Sequence, residues 1–267
     1  MFSRKHLYWL VICPAMGLFM SCSYAQLPEQ ITLRHTATFP HDKLSFTQGL
    51  LWDGNSLYES AGQYGASSLR RVEPKTGNIV DRVDLPRQFF AEGLALVDNS
   101  LFQLTWRENV CRVYDKKTFQ LTNAFHYPGE GWGLTYDGKQ LIMSDGTSTL
   151  RFFDPKTFRQ QRKVDVTDSI QKRRPEPVRH LNELEWIHGE IWANVWQTTR
   201  IVRINPKTGN VIGWIEMERY VPEEHRQDTQ DCVLNGIAFD PATNHVYITG
   251  KYWNVMHQFL LEVPEKK

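Results

Sequence analysis

The sequence lacks most of the features that would point directly to a particular chemistry. It has four cysteines among 267 residues, and none of their spacings resembles a zinc site. Neither an H-E-x-x-H nor a G-x-S-x-G motif occurs, which argues against zinc or serine hydrolases of those types. The net charge of +1 is too small for a general nucleic-acid binder, which needs a basic face to displace counterions. No helical-period stretch of a dozen residues separates the strand-like segments, and this disfavours an α/β fold.

A long apolar run occurs near the N-terminus, in the 14 residues 7–20. It follows the basic residues Arg4 and Lys5, and Ser23-Tyr24-Ala25 offers small residues at the positions that a signal peptidase requires. A membrane span needs about 20 apolar residues, so this run is short for an anchor. We therefore expect residues 1–25 to be a signal peptide, and the rest to be periplasmic or secreted with no stable membrane anchor. A lipoprotein formed through Cys22 is the less favoured alternative, because residues 19–21 make a poor lipobox.

Loss of this leader would leave Cys111 and Cys232 as the cysteines of the exported protein. In an oxidising compartment the two could form one long-range disulfide. They could equally remain as two buried thiols, and the sequence leaves both alternatives open.

An internal repeat runs through the remainder of the chain. Each copy has a short hydrophobic strand, a polar turn containing Gly, Asn or Asp, and a second strand with alternating polarity. The five copies read FTQGLLWDGNSLYESAG, FAEGLALVDNSLFQLTW, GWGLTYDGKQLIMSDG, LNELEWIHGEIWANVW and LNGIAFDPATNHVYITGK. Corresponding positions recur every 40 to 53 residues, a period that is typical of the four-stranded blades of a β-propeller.

The repeat predicts one all-β domain over residues 26–267, a five-bladed β-propeller whose blades fit between Phe46 and Val263. The fifth copy shows three obvious strands, and Thr32–Phe39 can supply its outer strand. Such closure would pair the two ends of the chain and remove exposed sheet edges. Two charged insertions, Val166–His180 and Glu218–Asp231, are expected to be surface loops with a turn of helix at most.

Alignment of the copies brings chemically capable residues into two columns. The first column contains Gln48, Glu92, Trp132, Asn182 and Asn235, and the second contains Gly62, Trp106, Gly146, Trp196 and Lys251. Successive blades point the same end of their inner strands at the central axis, so these columns should meet in one funnel. We expect that funnel to hold a carboxylate, several amides, a lysine and three indoles.

Each of these residues also has a structural interpretation. The indoles could be packing between blades, and Glu92 could form a salt bridge or a hydrogen bond to a neighbouring blade. Lys251 could be a solvated loop residue, and Asn182 could cap backbone groups. At matched repeat positions, however, the set describes an aromatic box around one acid–base group, in a setting where a carboxylate needs a reason to be present.

Motifs in every blade resemble those of the glutamine cyclotransferase family of plant and bacterial type. They are FTQGL at 46–50, AEGL at 91–94, QLTW at 103–106, GEGWGL at 129–134, LNELEW at 181–186, ANVW at 193–196, LNGIA at 234–238 and TGKYW at 249–253. The resemblance covers essentially Thr38 to Val263.

The resemblance implies a five-bladed propeller that converts N-terminal glutaminyl residues to pyroglutamyl residues and releases ammonia, without a catalytic metal or other cofactor. It implies that Glu92 is the catalytic residue. The implied substrate-binding residues are Phe46, Gln48, Phe90, Trp106, Trp132, Asn182, Trp196 and Lys251. Peptides or proteins with N-terminal Gln would be the partners, and we expect a monomer.

The residues suit that reaction, because one carboxylate can accept the proton of the attacking amine and return it to the departing nitrogen. Two alternatives remain at this point. A non-catalytic propeller could bind a peptide or glycan in the same indole-lined funnel, and a metal-dependent hydrolase propeller would be sensitive to chelators.

Overall fold

The structure is a computed structural model that describes residues 31–170, 174–226 and 231–262. Within these ranges, twenty strands form five four-stranded sheets and two more form a short ribbon. All neighbouring strands within the sheets are antiparallel. The first strands of neighbouring sheets contact one another, so they surround a common axis. The predicted all-β, five-bladed propeller is confirmed.

The first strand, β1 (Thr32–Pro40), belongs to the last blade, and the blades then follow in chain order. Blade 1 comprises β2 (Thr47–Asp53), β3 (Ser56–Ala61), β4 (Ser68–Val72) and β5 (Ile79–Asp84). Blade 2 comprises β6 (Ala91–Val97), β7 (Ser100–Thr105), β8 (Val110–Asp115) and β9 (Leu121–His126). Blade 3 comprises β10 (Leu134–Tyr136), β11 (Leu141–Met143), β12 (Thr149–Phe153) and β13 (Gln160–Asp165). The ribbon pairs β14 (Thr167–Asp168) with β15 (Glu176–Pro177). Blade 4 comprises β16 (Leu181–Ile187), β17 (Glu190–Val195), β18 (Arg200–Ile204) and β19 (Val211–Glu216).

Blade 5 joins segments from both ends of the described chain. Its strands β20 (Leu234–Asp240), β21 (His245–Gly250) and β22 (Val255–Glu262) follow in sequence, and β1 is the fourth and outer strand. The pairing of β1 with β22 runs from Thr32 opposite Glu262 to Pro40 opposite Val255. Every inner strand therefore lies between two neighbours in a ring.

The hydrophobic core is divided into five clusters, each between two adjacent blades. Alternation along the strands produces this arrangement, because each sheet buries both faces against its neighbours. The blade 4–blade 5 cluster includes the fully buried indoles Trp192 and Trp253. Burial of apolar area between the blades is the main force that holds the ring together.

Glycines allow the inner strands to approach one another closely. A Cβ on Gly49 would lie 2.6 Å from the Leu94 nitrogen of the next blade, so no larger residue fits without displacing backbone. In blade 4 the corresponding position is occupied by Glu183, which is fully buried. Its two carboxyl oxygens accept hydrogen bonds from backbone nitrogens, Oε1 from Leu50 at 3.2 Å and Oε2 from Ile237 at 2.9 Å. One side chain thus connects blades 1, 4 and 5 across the axis.

The two insertions differ from each other. The second carries 3-10 turns at Glu218–Tyr220 and Glu223–His225, as the predicted turn of helix allows. The first contains the β14–β15 ribbon in its described part, so strand pairing takes the place of a helical turn there.

The cysteine question has a clear answer in the structure. No disulfide joins Cys111 and Cys232; Cys111 is a buried thiol in β8, whereas Cys232 is only half-buried, so the alternative of two buried thiols holds for Cys111 alone. Burial raises the pKa of the Cys111 thiol well above its usual range, so it is a core residue and unreactive.

The predicted signal peptide, residues 1–25, lies outside the described residues. Among the residues that are described, no helix has the length and apolar character needed to cross a membrane.

Candidate active site

The inner strands are irregular at the position of the first column. The register against the second strand shifts between Thr47 and Gly49 in blade 1 and between Ala91 and Leu94 in blade 2. Equivalent shifts occur between Leu181 and Leu184 and between Leu234 and Ile237. The residues within these bulges include Gln48, Glu92, Asn182 and Asn235. A bulge breaks the alternation of the strand and redirects a side chain, which explains how polar groups reach the axis from otherwise apolar strands.

All nine residues predicted for the site line a single cavity of about 180 Å³, which we call the central cavity. They are Glu92, Phe46, Gln48, Phe90, Trp106, Trp132, Asn182, Trp196 and Lys251, and Asp231 is a tenth lining residue. The positions come from all five blades, so only closure of the ring brings them together.

Glu92 is the buried carboxylate of this cavity, with 4% of its surface exposed. Its Oε1 accepts a hydrogen bond from Gln48 Nε2 at 2.9 Å. Within the described part of the chain its Oε2 has no hydrogen-bond partner. Burial raises the pKa of Glu92 well above its usual range, and the nearby carboxylates Glu130 and Glu108 add to that rise, although Lys251 opposes it. One oxygen of the carboxyl group is thus available to exchange a proton.

The orientation of Gln48 is fixed from behind. Asn235 Nδ2 donates to Gln48 Oε1 at 3.1 Å and to the Thr47 carbonyl at 2.8 Å. With its oxygen accepting from Asn235, the Gln48 amide must present its NH₂ group to Glu92. Asn235, which the repeat placed in the same funnel, therefore lies behind Gln48 and does not line the central cavity.

Lys251 is buried beside the ring of Phe46, with its Nζ 4.4 Å from the ring centroid. Burial lowers the pKa of Lys251 to about 8, while the Glu92 carboxylate opposes the shift. The ammonium group is therefore mostly charged at neutral pH and is about half deprotonated near pH 8. Its backbone N–H donates to the Val233 carbonyl at 2.9 Å, which fixes the start of the side chain.

Two of the indoles are held by one carboxylate. Glu130 Oε2 accepts from Trp106 Nε1 at 2.8 Å and from Trp132 Nε1 at 3.0 Å, and Glu130 Oε1 accepts from Arg107 at 3.2 Å. Trp132 meets Trp196 edge to face, with ring centroids 5.5 Å apart. These contacts form a rigid aromatic wall, an arrangement that packs well and excludes water.

Two glycines of the second column leave space for large aromatic side chains, one of them in the first column and the other close to it in sequence. A Cβ on Gly62 would lie 2.5 Å from the ring of Phe90, and one on Gly146 would lie 2.6 Å from the indole of Trp132. Gly146 also has a φ of +77°, a conformation that other residues adopt at a cost. The mixture of Gly and Trp in this column therefore reflects the shape of the cavity.

Several residues around the site did not stand out in the repeat columns. Glu130 lies in the GEGWGL motif, next to the column, and its role depends on where the two indoles point. Glu108 anchors the opposite side, because it accepts hydrogen bonds from Tyr64 at 2.8 Å and from the Phe90 nitrogen at 3.2 Å. Asp231 sits at the end of a charged insertion, where nothing in its sequence context indicates a cavity wall.

A second buried carboxylate, Glu59 on β3, supports the segment that carries Phe46 and Gln48. Its Oε1 accepts hydrogen bonds from Ser45 at 2.6 Å and Thr47 at 2.8 Å, and His41 Nε2 lies 3.1 Å away. Arg70 approaches the other oxygen at 3.8 Å. Although burial opposes ionisation, His41 and the remaining partners outweigh it and lower the pKa of Glu59 to about 2.

No group of three or more His, Cys, Asp or Glu side chains suited to a metal ion occurs among the described residues. The groups that line the central cavity are one buried carboxylate, the exposed carboxylate Asp231, two amides, an ammonium group and aromatic rings. Such a set is suited to moving a proton and stabilising a developing negative charge.

Comparison with known proteins identifies the family of the chain. A sequence model described as glutamine cyclotransferase matches residues 10–261. The chain is 42% identical to an Arabidopsis thaliana protein named glutaminyl-peptide cyclotransferase over 238 residues, which is 86% of this chain and 72% of that protein.

Solved structures give the same result for the fold. The crystal structure of Myxococcus xanthus glutaminyl cyclase matches with a TM-score of 0.79 and 32% identity, covering 90% of this chain and 100% of that one. The WD40 repeats of RRP9 match with a TM-score of 0.53 but only 9% identity, over 87% of this chain and 100% of that one, and this likeness concerns the propeller fold alone. With a family model that spans nearly the whole described chain and a relative at 42% identity, this protein belongs to the glutamine cyclotransferase family.

Proposed function

We propose that this protein is a glutaminyl-peptide cyclotransferase, which converts the N-terminal glutaminyl residue of a peptide or protein to a pyroglutamyl residue and releases ammonia. The observation that carries the proposal is Glu92, a buried carboxyl group with a raised pKa and one uncommitted oxygen in an aromatic cavity. Family membership supports the same activity.

The reaction needs one proton to move between two nitrogens. The α-amine of the substrate attacks the carbon of its own side-chain amide, a C–N bond forms, and the ring closes as a tetrahedral intermediate. Glu92 takes the proton from the attacking nitrogen and gives it to the amide nitrogen, whose bond to carbon then breaks as ammonia leaves. The raised pKa of Glu92 suits both steps, because it brings the group closer to the pH at which it works.

Three side chains are placed to stabilise the oxygen of the substrate amide as it becomes negative. The Gln48 amide presents its NH₂ group toward Glu92, the Asn182 side chain lines the same cavity, and Lys251 supplies a positive charge. Donors of this kind are worth several kcal/mol when they are fixed before the reaction begins. Metal ions have no step in this scheme, so we propose that the activity is independent of them.

The aromatic walls have a different role. Trp106, Trp132 and Trp196, together with Phe46 and Phe90, enclose the cavity and exclude water. A glutaminyl side chain has several rotatable bonds, and confining it against these rings favours the folded conformer in which the amine meets the amide.

The direct test is to incubate the purified protein with a Gln-initiated peptide and to measure ammonia together with the loss of one ammonia in peptide mass. A matched Asn-initiated peptide is the control, and we expect no ammonia from it. The activity should persist in EDTA. Binding of the Gln peptide without ammonia release would instead indicate a non-catalytic peptide-binding propeller, and loss of activity in EDTA would contradict metal independence.

We also propose that residues 1–25 direct export and that the exported protein is a monomer. Fractionation of the native host with N-terminal sequencing tests the first point, because cleavage after Ala25 is expected. Sedimentation of the purified protein tests the second, and a mass twice that of the chain would contradict it.

A further inference from the structure

A larger cavity of about 580 Å³ lies beside the central cavity, between blades 4 and 5. We call it the side cavity. One wall is the turn Gln197–Arg200, which follows β17, and the opposite wall comes from the second insertion, including Arg219 and Arg226. The floor is the apolar set Val221, Val233 and Leu234, all buried.

The two cavities share chain segments and are neighbours on one face of the propeller. Trp196 lines the central cavity, and the next residue, Gln197, lines the side cavity. On the blade 5 side, Asp231 lines the central cavity and the next residue, Cys232, lines the side cavity. A backbone hydrogen bond connects the two walls, since the Val233 carbonyl at the side cavity accepts from the backbone nitrogen of Lys251 at the central cavity.

Size determines what each cavity can hold. Ligand-binding clefts have volumes of about 300–1,000 Å³. The central cavity, at about 180 Å³, suits a single residue, whereas the side cavity falls inside the general range. A peptide whose first residue occupies the central cavity must continue outside it, and the side cavity is lined by residues that directly follow Trp196 and Asp231 of the central cavity.

The charge of the side cavity indicates which side chains it prefers. In the described part of the chain three arginines line it, Arg200, Arg219 and Arg226, against one carboxylate, Glu218. Arg200 also donates to Glu216 at 2.8 Å, so part of its charge is already neutralised. Arg219 and Arg226 are both exposed at the surface, where they can reach an incoming chain.

We propose that the side cavity binds the residues that follow the N-terminal glutamine of a peptide substrate and favours acidic side chains there. This inference rests on the proposed cyclotransferase function and adds to it a preference for one class of substrate. The apolar floor would pack against the stems of the second and third residues, while the arginines contact their carboxylates.

The test compares kcat/KM for Gln-Glu-Glu-Ala-amide and Gln-Lys-Lys-Ala-amide at low ionic strength. We expect the wild-type protein to prefer the acidic peptide by about tenfold, since two partly exposed charge pairs each contribute a factor of a few. The ratio should fall to within about twofold in the double variant Arg219→Ala, Arg226→Ala, and also in about 1 M salt, where charges are screened beyond about 3 Å. Arg226→Glu should shift the preference toward the basic peptide.

Arg159→Ala, an exposed arginine on the outer turn of blade 3, is the matched control and should keep the wild-type ratio. A wild-type ratio near one, or a preference that survives the double variant, would overturn the inference. Glutaminyl amide, which has no following residues, separates the two proposals. If it releases ammonia while the peptides show no charge preference, only the side-cavity proposal fails; if no substrate releases ammonia, the cyclotransferase proposal fails.

Discussion

Glu59 and Glu92 are both buried glutamates near the same cavity, with 1% and 4% of their surfaces exposed, yet their surroundings are opposite. Glu59 is held by two hydroxyl groups and by the cationic partners His41 and Arg70, and its pKa is lowered to about 2. Glu92 accepts one hydrogen bond from a neutral amide, and its pKa is raised well above the usual range.

The difference shows that burial alone does not make a carboxylate reactive. A carboxylate with all its partners in place is stable as an anion and has no reason to take up a proton at neutral pH. One that is buried and only partly satisfied binds a proton more strongly than an ordinary carboxyl group does, so its pKa moves up toward the pH at which it works, and this is the condition that acid–base catalysis requires. We therefore propose that Glu59 supports the site and that Glu92 carries its chemistry.

The largest effect should come from Glu92→Gln. Removal of the proton shuttle is expected to lower kcat for ammonia release by about 10³-fold or more, since general acid–base groups contribute about 10²–10⁴-fold. Glutamine has nearly the same shape, so the variant should keep the circular dichroism spectrum of the wild-type protein and an unfolding midpoint at least as high. Turnover close to the wild-type rate would remove Glu92 from the mechanism.

Glu59→Gln should mainly lower the stability of the protein, whereas Glu92→Gln mainly lowers its activity. Loss of the anion leaves His41 and Arg70 buried with reduced compensation, and breaking a buried ion pair in this way costs about 3–5 kcal/mol. Urea unfolding at pH 7 measures the loss of unfolding free energy. Glu92→Gln serves as the matched comparison, and no loss is expected there because the neutral amide replaces a group whose charged form burial disfavours. Equal losses in the two variants would mean that the two carboxylates do not differ as proposed.

The two glutamates should also make opposite contributions to the pH dependence of stability. The pKa of Glu59 is about 2 when folded and near 4.5 when unfolded, so its contribution is present above pH 4.5 and is lost as the pH falls toward 2. The pKa of Glu92 is raised on folding, so its contribution is present below pH 4.5 and is lost as the pH rises above that value.

Unfolding free energies measured between pH 3 and pH 8 for the two variants test whether the two glutamates change stability with pH in opposite directions. Compared with wild type, Glu59→Gln should lose less stability as the pH falls below 4.5, by about 1.4 kcal/mol for each unit of pKa shift. Glu92→Gln should lose less stability on going from acid to neutral pH. Parallel curves for wild type and either variant would contradict the assigned direction for that residue.

The smallest effect is expected for Glu130→Gln. Its carboxylate helps to raise the pKa of Glu92, so the neutral variant should move the acidic limb of the kcat/KM profile to lower pH by less than about 1 unit. The amide oxygen can still accept from Trp106 and Trp132, so kcat at neutral pH should fall only severalfold. A uniform loss at every pH with no movement of the limb would indicate that Glu130 only holds the indoles.

The sequence predicted the residues that line the central cavity better than the residues that hold them in place. Gln48, Glu92 and Asn182 could be found because the repeat aligns them, and a ring of equivalent strands must bring equivalent positions together. Glu59 and Glu130 could not be found in this way, since each acts through partners that are distant in sequence or that depend on side-chain direction. Glu183 is adjacent to Asn182 in the LNELEW motif, but its contacts with Leu50 and Ile237 exist only across the closed axis.

The amino-acid sequence by itself determined the strand pattern, the number of blades and the residues that face the axis, because alternation and repeat period are local properties of the chain. Which of the two carboxylates has the raised pKa was decided only by the tertiary structure. Glu59 and Glu92 have the same intrinsic acidity in an unfolded chain, and folding gives one of them four partners and the other a single amide. The difference between them is the environment that ring closure creates, and no stretch of sequence contains it.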